Sequence, residues 1–123
     1  MASKLKVDGI PLWVTLFLAF IVLLGVGLGA PAMLGQGLME THTIGWGGRQ
    51  LGIAVGSILA IVYRSQVGYL IVFTCALFKE TSDLLEVLSV PGAGIGMVIG
   101  FVPFIGLELV SLWFSYRATR GAT

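Results

Sequence analysis

Four apolar stretches separated by short polar breaks dominate the chain: residues 10–30, 45–63, 67–88 and 93–116. The first contains no charged residue and has about the ~20 residues needed to cross a bilayer. It follows a short polar start with Lys4 and Lys6. It exceeds the apolar segment of a signal peptide and reads as an uncleaved first helix, which Pro31 is expected to end. Residues 31–44 form a loop carrying Glu40 and His42, Arg64-Ser65-Gln66 a tight turn, and Ser89-Val90-Pro91-Gly92 another. Connections this short predict an all-α, up-down antiparallel bundle of four transmembrane helices, with the whole chain as one domain.

Lysine and arginine placement orients that bundle. Lys4, Lys6, Arg64, Arg117 and Arg120 fall on one side of a four-span chain, and the other two loops carry neither residue type. The bias puts both termini in the cytoplasm. Trp13, Tyr63, Trp113 and Tyr116 lie near the cytoplasmic ends and Trp46 near the opposite end, as an aromatic belt requires. Small residues recur every four positions at Gly25-x3-Gly29, Gly52-x3-Gly56-x3-Ala60 and Gly92-x3-Gly96-x3-Gly100. Such stripes let membrane helices approach closely. Pro103 should kink the fourth helix or free a carbonyl there.

Composition agrees with an integral, multi-pass membrane protein. The 123 residues are 57% hydrophobic and 11% charged, with a mean hydropathy of +1.01. A net charge of +1, without a basic run, gives no case for nucleic acid. Cys75 alone excludes an intrachain disulfide and a cysteine metal cage, and is expected to be a small packing residue. Glu40 and His42, spaced i, i+2, are a weak metal signal, and no metal is assigned. Gly27-x-Gly29-x-x-Ala32 lacks the strand and helix of a dinucleotide fingerprint, so no cofactor is expected.

The chemistry-bearing stretch is residues 73–86, FTCALFKETSDLLE. On a helix, Lys79, Glu80, Asp83 and Glu86 span an arc of about 120°. Tyr69 and Phe73 extend one side of it. Charge inside a membrane is costly, about 2.5–3.5 kcal/mol per residue on insertion scales, and usually faces a protein interior. Arg49 sits about four residues, ~6 Å, inside the second helix, at the depth of Asp83. It shares the face of Gly52, Gly56 and Ala60. An Arg49 pair with Asp83 or Glu80 is therefore expected. Glu108, near the middle of the fourth helix, adds a further carboxylate. Two cations against four carboxylates leave an acid that should be protonated or bound to a cation.

With Gly45-Trp46-Gly47-Gly48-Arg49 opening the second helix and Lys79-Glu80-x-x-Asp83 on the third, the chain resembles small bacterial four-helix membrane proteins of uncharacterised domain families. The likeness covers about residues 45–88. It implies the four-helix fold but no activity. The expected location of such a multi-pass protein is a bacterial inner (cytoplasmic) membrane. The glutamate that small multidrug exporters carry on their first helix is missing. So is the Thr/Ser/Phe-rich third-helix break of small fluoride channels.

Three functions stay open. The first is binding or acid–base transformation of a small lipophilic molecule, by isomerisation, cyclisation or epoxide opening. Glu80, Asp83, Arg49 and Lys79 would then be catalytic, with Tyr69, Phe73, Glu86 and Glu108 holding the substrate. The second is an accessory subunit paired with other membrane subunits. The third is a proton-coupled transporter.

Overall fold

A computed structural model describes residues 5–92 and 94–121; Lys4 and Ala93 lie outside them. Four helices follow in order: α1, Leu12–Met33; α2, Ile44–Val62; α3, Gln66–Ser89; α4, Ile95–Gly121. No strand occurs among the described residues, where only an isolated bridge joins Val7 and Ile10. Among the described residues, three helices have segments long and apolar enough to cross a membrane: Leu12–Met33, Ile44–Val62 and Val98–Gly121. α3 carries Lys79, Glu80, Asp83 and Glu86 and does not reach that apolarity.

Local chemistry sets the helix ends. The Thr43 hydroxyl accepts the Trp46 N–H at 3.2 Å, and the Ser65 hydroxyl accepts the Gly68 N–H at 2.9 Å. These caps satisfy donors that the first turn leaves unpaired. Pro31 does not end α1, which runs two residues further to Met33. A proline in the last turn forfeits one hydrogen bond without stopping the helix, and the Leu34 N–H still reaches Ala30 and Pro31 carbonyls. α2 closes with Arg64 in the left-handed region at φ 50. The Ser65 N–H bonds the Ala60 carbonyl at 3.0 Å and the Arg64 N–H that of Ile61 at 3.1 Å. This is the paired closure of a Schellman turn.

α1 and α2 approach most closely at Gly25, Gly29 and Gly47. A Cβ on Gly29 would meet Gln50 Cβ at 2.8 Å, and one on Gly47 the Gly29 carbonyl oxygen at 2.6 Å. Among the described residues, Gly52, Gly96 and Gly100 have open space instead, and Gly56 only touches Val72 at 3.3 Å. The face of α2 that packs is thus Trp46, Gly47, Gln50, Ala54, Ser57 and Ala60.

The core gathers Val14, Leu18 and Ile21 of α1 with Tyr69, Val72 and Phe73 of α3, and Phe104 and Leu112 of α4 pack against it. Thr15 and Tyr69 share a buried hydrogen bond of 2.8 Å between α1 and α3. Phe17 stacks on Phe73 and meets Phe104 edge-on, at centroid distances of 6.2 and 5.3 Å. Much of the outer surface is apolar: Leu23 is 71% exposed, Phe78 74% and Ile99 62%. Water would disfavour so extensive an apolar surface, whereas lipid suits it.

Candidate functional site

A cavity of about 310 Å³ opens at the end of the bundle where the α1–α2 loop lies. All four helices wall it. α1 contributes Ile21, Leu24 and Leu28, and α4 contributes Gly100, Phe101 and Phe104. Polar groups come from the other side: Thr41 and His42 of the loop, Gln50 of α2, and Lys79, Glu80, Asp83 and Glu86 of α3. Trp46 stands between the two kinds of wall.

Lys79 is the hub of the polar side. Its ammonium pairs with Glu80 and lies 3.4 Å from Asp83 Oδ2. It also sits over the Trp46 ring, 5.8 Å from the centroid, within cation–π range. The Trp46 indole N–H donates to the same Asp83 oxygen at 3.1 Å. Asp83 is only 7% exposed, and its Oδ1 has no hydrogen-bond partner among the described residues. The His42 ring stacks face to face on Trp46, centroids 3.8 Å apart and planes 3° from parallel. Burial pushes the His42 pKa below its ordinary 6.5; Asp83 opposes the shift and Lys79 reinforces it. The stacked ring is therefore favoured as neutral imidazole.

The expected site residues separate into three groups. Lys79, Glu80, Asp83 and Glu86 come together on the cavity wall, Glu86 as an exposed residue. Glu108 is fully buried on α4, near enough to Glu80 and Lys79 to feel their charges, and its two carboxyl oxygens have no hydrogen-bond partner among the described residues. Tyr69 and Phe73 do not line the cavity. They are core residues, held by Thr15 and by Phe17.

Arg49 does not form the expected pair. It is exposed and makes no ion pair among the described residues. The antiparallel helices do bring this turn of α2 level with Asp83. The face was wrong: Trp46, three residues earlier and about 60° round the helix, takes the contact. Arg49 instead joins Gly52, Gly56, Cys75, Phe78 and Lys79 around a separate groove of about 630 Å³ between α2 and α3. Cys75 is exposed there, not packed as a core residue.

Trp46, His42 and Gln50 were not anticipated as parts of the site. The signal for Trp46 was present in its depth and in its i, i+4 relation to Gln50 on one helix face. No protein-family model, curated protein or solved structure matches this chain.

Proposed function

We propose that the chain is a four-span integral membrane protein with both termini in the cytoplasm, and that the cavity at its outer end binds a small lipophilic molecule. The observation that carries this reading is the wall itself. One side is aliphatic and aromatic, and the other concentrates Lys79, Glu80 and Asp83 beside Trp46. A cavity near 300 Å³ with few convergent polar groups has the make-up of a small-molecule site. Charged side chains enclosed in a membrane bundle are a functional-site hypothesis by default. If the ligand is also transformed, Asp83 is the candidate acid–base group: Lys79 and Trp46 orient it, and its buried Oδ1 has no hydrogen-bond partner among the described residues.

The test is to purify the protein gently and identify small molecules that accompany it by native mass spectrometry. Asp83→Asn and Glu80→Gln should reduce the bound species while the helical spectrum is unchanged. An identical complement of bound molecules in wild type and both variants would sink the proposal.

A second reading, membership of a larger membrane assembly, draws on the groove between α2 and α3. There Arg49 is exposed on a face whose Gly52 leaves room for a partner helix. The same mass spectra separate the two readings. A monomer carrying a small molecule argues against assembly, and a stoichiometric protein partner argues for it.

A further inference from the structure

Resting on the binding reading above, we infer that the cavity's ligand is a lipophilic ammonium ion: one positive nitrogen on an apolar body. The charge count points that way. Among the described residues the lining holds one lysine, Lys79, against three carboxylates, Glu80, Asp83 and Glu86. His42 adds no balancing charge while its pKa lies below the ordinary value. Lys79 is shared between Glu80 and Asp83, which leaves acceptor capacity on the wall unused. The buried Asp83 Oδ1 has no hydrogen-bond partner among the described residues.

One cation is already in place on this wall. The Lys79 side chain is itself an alkylammonium. It is held by two carboxylates with the Trp46 ring at 5.8 Å, so this wall supplies the two kinds of contact an alkylammonium takes. A ligand ammonium would take up the remaining carboxylate capacity between Asp83 and Glu86. Its apolar body would lie along Leu24, Leu28, Phe101 and Phe104 on the opposite wall. A carboxylate ligand would meet a net negative wall, and a neutral alcohol would leave the surplus charge uncompensated.

The experiment uses the whole chain in neutral-lipid nanodiscs at pH 7. Three probes with one tail are compared: decylammonium, decan-1-ol and decanoate. The readout is the indole N–H resonance of Trp46, assigned by its loss in Trp46→Phe, with empty nanodiscs as reference. Decylammonium should shift it saturably, with an affinity at least tenfold above either other probe. Asp83→Asn should weaken decylammonium binding about tenfold. Glu86→Gln, at an exposed position that leaves folding intact, should weaken it severalfold and serves alone if Asp83→Asn does not fold. If decan-1-ol or decanoate binds as well as decylammonium, or if the variants that fold keep full affinity, the ammonium assignment falls and the cavity reading stands. If no probe moves the resonance, both fall.

Discussion

At the scale of single residues, the cluster at the cavity is unequal in its dependence on its members. Lys79 is the cation that pairs with both Glu80 and Asp83, and its side chain is 9% exposed. Removing one partner from a buried ion pair typically costs about 3–5 kcal/mol, because the remaining charge has no compensation. Lys79→Met should therefore lower unfolding stability in mild detergent by about 3 kcal/mol. The triple variant that also carries Glu80→Gln and Asp83→Asn should regain most of that loss. Trp46→Phe keeps an aromatic ring but loses the five-membered half of the indole with the N–H donated to Asp83, at a cost of at least about 2 kcal/mol, the value of a hydrogen bond to a charged group. Arg49→Gln should fall within about 0.5 kcal/mol of wild type in the same unfolding assay, as expected of an exposed residue that makes no ion pair among the described residues. An Arg49 effect as large as that of Lys79 would contradict the separation of the two. His42 adds a pH dependence. Its folded pKa lies below 6.5, so its contribution is fully present above that pH and is lost as the pH falls through the folded value. His42→Gln should flatten that part of the stability profile.

At the scale of the helices, two local rules make opposite predictions about similar residues. Gly29 and Gly47 lie where α1 and α2 nearly touch, and a methyl group there would press on backbone. Gly29→Ala and Gly47→Ala should each destabilise the bundle by about 1–3 kcal/mol, as overpacking does. Gly52→Ala and Gly100→Ala meet nothing among the described residues and remove backbone freedom from the unfolded chain. They should raise stability by about 0.5–1 kcal/mol or leave it unchanged. At the α2 terminus, Arg64 occupies a left-handed turn position that glycine fills at no steric cost. Arg64→Gly should stabilise by about 1 kcal/mol in thermal unfolding. The sequence made the four helices and their short turns legible, because long apolar runs and polar breaks depend on composition alone. It also made legible that the charged turn of α3 lies level with the first turns of α2. It did not reveal which glycines are packed, since every small-residue stripe has the same spacing and only the partner helix distinguishes them. Arg49 was misassigned for that reason: Gly52 and Gly56 marked a face that proved to border an open groove.

At the scale of the whole molecule, the question is whether α3 crosses the membrane with the others. Taken alone it is the helix that lacks the necessary apolarity, because Lys79, Glu80, Asp83 and Glu86 lie along it. The bundle changes that reckoning. Lys79, Glu80 and Asp83 are largely enclosed against Trp46 and the cavity, so lipid would meet Phe78 and Leu85 rather than the charges. α3 also has 24 residues and follows α2 after a turn of a few residues, which favours an antiparallel return across the same thickness. Lys6, Arg64, Arg117 and Arg120 then share one end with Trp13, Tyr63, Trp113 and Tyr116, and the α1–α2 loop at the other end contains neither lysine nor arginine. Four spans predict that alkaline phosphatase fused after residue 37 or residue 92 is active outside the membrane. A fluorescent protein fused after residue 121 should be fluorescent inside. If α3 lay on the surface and only three helices crossed, the termini would sit on opposite sides and the last fusion would be dark. The cavity would then lose its buried charged wall to water, because the helix that carries the charges would no longer be enclosed by the other three.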